Sequence, residues 1–212
     1  MDTIFERFHK IGIIPVVVLD DAKDAEPLGK ALCEGGLPCA EVTFRTAAAP
    51  EAIATLTRKF PEMLVGAGTV LTPEQVDNAA AAGAKFIVSP GLNPRVVKHC
   101  LDKGIPVIPG TQTPSEMLQA MDLGLNVVKF FPAENVGGLA TIKAIAAACT
   151  ELKFVPTGGI NAKNVRDYLA YDKILACGGS WMVKKDLVKD GKWDELTALV
   201  REAAGIVKEI RG

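Results

Sequence analysis

Eight short runs of apolar, largely β-branched residues alternate with Ala-rich amphipathic stretches from one end of the chain to the other. This alternation leaves few architectures open. The runs are 13–19, 40–44, 64–70, 86–90, 106–110, 127–132, 154–159 and 174–180. Most are almost continuously apolar, as strands buried on both faces are. One such unit per roughly 26 residues approaches the minimum size of a (β/α)8 TIM barrel. No stretch reads as a linker and no compositional shift divides the chain. A single α/β domain over 1–212 is therefore expected, with 1–10 as an N-terminal helix. The competing architecture is an open doubly wound sheet. Against it, the first strand–turn–helix lacks a G-x-G-x-x-G, and the glycine pairs cluster late instead.

The stretches between the runs begin and end like helices. Thr72-Pro73-Glu74-Gln75 and Thr113-Pro114-Ser115-Glu116 each read as a capping box with Pro at the first helical position, and Asn93-Pro94 repeats the logic. Gly36, Gly83, Gly104 and Gly124 stand where four of these helices should stop. Trp193, Leu196, Val200, Ala203, Val207 and Ile210 lie three and four apart on one face of a last helix. Ile4, Phe8 and Ile11 have similar spacing, so the first helix could close the bottom of the barrel.

Composition narrows the class of function. With 24 Lys+Arg against 25 Asp+Glu, neither nucleic acid nor an anionic membrane is expected as the main partner. The longest apolar run, 11–19, is broken by Gly12 and Pro15 and falls short of a span. Residues 1–10 carry Asp2 and Glu6 and show no apolar core of a signal peptide. Five scattered cysteines without a C-x-x-C suggest buried thiols, and two distant histidines argue against a His-rich metal site. The chain reads as a soluble cytoplasmic globular protein.

Barrel active sites lie at the C-terminal ends of the strands, and four such ends carry polar residues. Lys129 stands in Val127-Val128-Lys129-Phe130-Phe131-Pro132, surroundings that favour the neutral amine a Schiff-base nucleophile needs. The bland alternative is a lysine reaching solvent or a structural ion pair. Glu41-Val42-Thr43-Phe44-Arg45 puts Glu41, Thr43 and Arg45 on one face of a strand. That face offers a carboxylate for proton transfer and a guanidinium to grip a substrate carboxylate, unless Glu41 and Arg45 merely pair with each other. Gly66-Ala67-Gly68-Thr69 leaves interior room and a hydroxyl that binds a substrate oxygen or caps the turn. Thr157-Gly158-Gly159 and Cys177-Gly178-Gly179-Ser180 end the last two runs. Two such diglycines suit a phosphate held by backbone N–H groups, with a helix opening after Asn161 adding positive potential.

These stretches, with Ser89-Pro90-Gly91-Leu92 and Pro132-Ala133-Glu134, resemble the 2-keto-3-deoxy-6-phosphogluconate (KDPG) aldolase / 4-hydroxy-2-oxoglutarate (KHG) aldolase family, in family order over essentially the whole chain. The resemblance implies a metal-free class I aldolase with no cofactor, acting on a 2-keto acid, usually as a homotrimer. It implies Lys129 as the Schiff-base lysine and Glu41 as the general acid/base. Arg45 and Thr69 match the carboxylate pocket, and Pro90 and Phe131 match its walls. Gly158, Gly159, Gly179 and Ser180 match the phosphate site, with Thr157 beside it. The rival classes are a phosphate-binding isomerase or epimerase with Glu41 as base, a non-catalytic phosphometabolite-binding barrel, and a pyridoxal phosphate enzyme.

Overall fold

Each of the eight runs forms a strand in the computed structural model, which describes residues 3–212. They are β1 (Ile13–Val17), β2 (Cys39–Thr43), β3 (Leu64–Gly68), β4 (Ile87–Ser89), β5 (Val107–Thr111), β6 (Val127–Phe130), β7 (Lys153–Pro156) and β8 (Cys177–Gly179). Most stop short of the apolar run's C-terminal end, where the chain leaves the ladder to build the mouth of the barrel. The helices are α1 (Ile4–Ile11), α2 (Ala25–Gly35), α3 (Ala49–Lys59), α4 (Pro73–Ala81), α5 (Pro94–Asp102), α6 (Pro114–Asp122), α7 (Gly138–Ala146), α8 (Val165–Leu169), α9 (Lys185–Lys189) and α10 (Trp193–Arg211). Residues 1 and 2 of the segment expected as the first helix lie outside the described residues.

Every strand pairs in parallel with its neighbours in the order β7-β6-β5-β4-β3-β2-β1-β8. The ring closes between β7 and β8 by two isolated parallel bridges, Phe154 with Ile174 and Thr157 with Gly178. This seam has isolated bridges in place of a continuous ladder. The Arg211 guanidinium covers it, donating to the carbonyls of Ile174 and Leu175 at 2.8 and 2.9 Å and to that of His9 at 2.7 Å.

Local chemistry sets the helix ends much as the sequence implies. Thr113 and Glu116 close a reciprocal capping box, and Asn93 accepts from the Arg95 N–H. The box expected at Thr72 is half formed. Thr72 caps Gln75, but the Gln75 carbonyl takes the N–H of Leu71 one residue earlier, at 2.7 Å. Gly36, Gly83, Gly104 and Gly124 all sit at positive φ, where an L side chain is strained. On α10 the expected stripe is buried from Leu196 to Val207, while Ile210 is exposed.

Two apolar layers result from the alternation of side chains along the strands. The outer layer, between strands and helices, holds Ile13, Val42, Ala67, Val128 and Phe154. The inner one fills the lower lumen with Ile14, Cys39, Leu64, Phe86, Ile108 and Val155, and Phe8 of α1 joins it from below. Phe8 is fully buried, edge-on to Phe86 at 4.8 Å between ring centroids. Helix α1 thus closes the bottom of the barrel. Phe8→Ala should cost about 3–5 kcal/mol through the cavity it opens, measured by chemical denaturation. A cost below ~1 kcal/mol would mean that α1 does not seal the lumen.

Candidate active site

In a ring of eight strands, β2 and β6 stand opposite each other, so their side chains meet only across the lumen. Glu41 and Lys129 do meet there. Lys129 Nζ lies 3.3 Å from Glu41 Oε1, and the two side chains are 7% and 3% exposed. Among the described residues, Lys129 is the only hydrogen-bond partner of that carboxylate. The Phe131 ring lies 5.4 Å from the same Nζ, near enough for a cation–π contact. Both strand-end signals in the sequence therefore converge on one buried pair. The lysine does not reach solvent.

Arg45 lies beyond the end of β2, in a turn at the mouth, and is exposed. It does not pair with Glu41; its Nε donates to Thr69 Oγ1 at 3.4 Å. Thr69 has φ +56°, in the left-handed region. A β-branched residue there is strained, at a cost of about 1–3 kcal/mol. The turn after β3 therefore holds its hydroxyl toward the guanidinium against a local preference. Pro90 is half-buried at the end of β4, its carbonyl packed where a Cβ on Gly110 would stand.

The Thr157–Gly178 bridge brings the two late diglycines side by side. Gly158 and Gly159 have φ of +101° and +79°. A Cβ on Gly159 would lie 2.5 Å from Glu134 Cβ, and one on Gly179 would lie 2.0 Å from the Trp181 ring. These glycines are thus required by close packing as well as by any anion. Among the described residues, nothing accepts a hydrogen bond from the N–H groups of Gly159 and Ser180, and Ser180 is exposed at the mouth. The Thr157 hydroxyl is buried without a partner against Gly178.

The helix expected to open after Asn161 starts later. The Asn161 carbonyl accepts from Asn164 N and Val165 N at 3.2 and 3.0 Å and its Oδ1 from Lys163 N, a single turn that leads into α8 at Val165. The Asn161 and Asn164 amides also bond the Gly159 carbonyl at 2.9 and 3.1 Å, and side chains that satisfy the backbone locally compete with a helix.

The sequence reading gave Glu134 no role and missed Tyr168. The loop after β6 continues beside β7, with Ala133 N bonded to Thr157 O and Glu134 N to Gly158 O. The Tyr168 hydroxyl donates to the Glu134 carboxylate, fixing this loop over the diglycine. Burial, and then that hydrogen bond, push the tyrosine's pKa up. The signal available was the Pro-Ala-Glu directly after the lysine strand.

Cys177, beside the late diglycine, points into the outer core, and burial pushes its thiol up to about 12. It is therefore no nucleophile at neutral pH. Among the described residues, no three His, Cys, Asp or Glu side chains converge as a metal site. A cleft of about 600 Å³ opens at the other end of the barrel, where His9, Arg201, Lys208 and Arg211 gather. Helices α1, α2 and α10 end there, and basic side chains complement helix C-termini.

The family model for KDPG and KHG aldolases matches residues 4–199. A 2-dehydro-3-deoxy-phosphogluconate aldolase of Treponema pallidum is 51% identical, over 98% of this chain and 99% of its own length. A KHG/KDPG aldolase of Escherichia coli is 46% identical over 90% of each. The KDPG aldolase of Legionella pneumophila, solved with pyruvate captured as a covalent carbinolamine, superposes with a TM-score of 0.91. It is 40% identical, covering 94% of this chain and 97% of the other.

Removing one member of a buried ion pair strands the other. Lys129→Met and Glu41→Leu should each destabilise the fold by about 3–5 kcal/mol, whereas the double variant should match or exceed the parent. Denaturation of the four proteins checks this; a double variant as unstable as the sum of the singles would contradict it.

Proposed function

The chain belongs to the KDPG and KHG aldolase family, and from that premise we propose how its own residues carry the reaction. It is a class I aldolase that cleaves KDPG to pyruvate and glyceraldehyde 3-phosphate, and also 4-hydroxy-2-oxoglutarate to pyruvate and glyoxylate. The observation that carries the residue assignment is the Lys129–Glu41 pair: a lone amine and a lone carboxylate, buried together at the catalytic end of a barrel.

A proton passed from Nζ to Oε1 turns ammonium and carboxylate into amine and carboxylic acid, and the pair stays neutral. No net charge appears in the lumen, so the nucleophile is freed without a further desolvation cost. The amine adds to the C2 ketone, and Glu41 protonates the oxygen. The carboxylate then takes the surplus proton from the nitrogen and passes it to the hydroxyl, which leaves as water as the iminium forms. Glu41 then takes the C4 hydroxyl proton. The C3–C4 bond breaks, its electrons pass into the iminium, and the aldehyde departs. Protonation of the enamine at C3 and hydrolysis release pyruvate. The iminium is the electron sink, so the sequence of steps calls for no metal or organic cofactor.

Arg45, steadied by Thr69, holds the substrate carboxylate, with Pro90 and Phe131 as pocket walls. The remote phosphate is held by Gly158, Gly159, Gly179 and Ser180 with Thr157 beneath them; the free N–H groups of Gly159 and Ser180 support this assignment. Holding both ends of the substrate aligns the C3–C4 bond over the iminium. The five free thiols suit the cytoplasm, and a homotrimer is the assembly usual in the family.

Borohydride reduction in the presence of pyruvate should leave a reduced pyruvyl adduct on Lys129, located by peptide mass spectrometry, and Lys129→Ala should lose both adduct and turnover. A folded protein that traps nothing would sink the Schiff-base reading and favour a phosphate-binding isomerase. Ser180→Ala should raise KM for KDPG while sparing 4-hydroxy-2-oxoglutarate. Equal losses on both substrates would remove Ser180 from the phosphate site.

A further inference from the structure

Gly68 lacks a side chain for a reason its own backbone does not supply. It ends β3 in extended conformation, without the positive φ that demands glycine at Gly158 or Gly159. What forbids a side chain is Glu41. A Cβ on Gly68 would stand 2.2 Å from Glu41 Oε1, 2.6 Å from its Cγ and 2.8 Å from its Cδ. The carboxyl end of Glu41 occupies the place where the next strand would carry its first carbon.

Gly66, two residues earlier on the same inward face, makes the contrast clear. A Cβ there would stand 2.5 Å from three atoms of the Phe86 ring. Phe86 is fully buried and braced edge-on by Phe8, so it has nowhere to go. The obstacle at Gly68 is instead the outer part of an unbranched side chain, from Cγ to the carboxylate, which can yield only by changing rotamer and leaving its place against Lys129. A methyl at 66 strains the floor of the barrel. A methyl at 68 displaces the carboxylate.

We propose that Gly68 is a positioning residue for the aldol reaction. By omitting a Cβ, it lets the Glu41 carboxylate lie against the β3 backbone and reach Lys129 across the lumen. The proposal rests on Glu41 being the acid/base. It assigns Gly68 to proton transfer rather than to substrate binding, because Arg45 and Thr69 lie nearer the mouth.

The test is a double-variant cycle on the whole enzyme, reading melting temperature, kcat, KM and the rate of pyruvate trapping. Gly68→Ala should stay folded and lose about 10- to 100-fold in kcat, as a misplacement near 1 Å does, with KM little changed. Glu41→Ala removes every atom that a Cβ at 68 would meet and should be slow by itself. In that background Gly68→Ala should cost nothing further, since the space is then empty. Gly66→Ala should lower the melting temperature and leave kcat of the folded enzyme unchanged. An unchanged kcat in Gly68→Ala, or the same fold loss with Ala as with Glu at 41, overturns the proposal. If Gly68→Ala does not fold, it is combined with Glu41→Ala and Lys129→Met, which together leave no stranded charge: recovered folding identifies the carboxylate as the obstacle, and no recovery overturns the proposal. Glu41→Gln separates the premise, since near-normal turnover there would end the role of Glu41 itself.

Discussion

Two opposite charges buried face to face across a barrel impose conditions on everything around them. Taking an ammonium and a carboxylate out of water costs several kcal/mol per ion, returned only when the partners meet in good geometry. Lys129 and Glu41 come from strands four places apart, so they meet only if the sheet closes on itself. In an open sheet of the same strand order they would lie far apart on one surface. Closure runs through the β7–β8 seam, which two bridges and the Arg211 guanidinium hold. The buried Lys129–Glu41 pair and the last residues of α10 are thus parts of one mechanical problem.

The pair also divides the lumen into two levels of different purpose. Below it, Phe8, Phe86 and the aliphatic residues of the inner layer are packed without polar atoms. Above and around it the barrel tolerates features that work against stability: a β-branched residue at positive φ in Thr69, and buried hydroxyls without partners in Thr43 and Thr157. A buried polar atom left unpaired costs about 1–3 kcal/mol. Such features persist where a ligand supplies the missing partner or where geometry matters more than stability. Their confinement to the upper level separates the part of the barrel that carries stability from the part that carries chemistry.

Much of this was legible in the residues, for physical reasons that also set the limit. Period-two alternation placed Glu41 and Thr43 on one face, and a lysine among Val and Phe had few explanations. Alternation does not say which strand stands opposite, so the meeting of Lys129 with Glu41 needed the closed ring. It fails once a strand ends, which is why Arg45 sits in a turn and bonds Thr69 instead of extending the β2 face. The Asn161–Asn164 loop read as a helix start because Asn is a good cap. The same side chains instead bond the Gly159 carbonyl and delay the helix. The Glu134–Tyr168 contact spans 34 residues and leaves no periodic trace at all.

The interior glycines show what a sequence motif conceals. Read as letters, Gly-Ala-Gly-Thr signals a roomy strand end. In space its two glycines answer to different neighbours, Gly66 to a braced ring and Gly68 to an unbranched acidic side chain. A glycine whose φ any residue could adopt is present for its neighbour's sake, and the neighbour's freedom to move decides what a substitution disturbs. Where the neighbour is braced, the fold takes up the change; where it is the side chain proposed as the acid/base, the change falls on the proposed chemistry. That distinction is drawn from the contact partner rather than from the glycine.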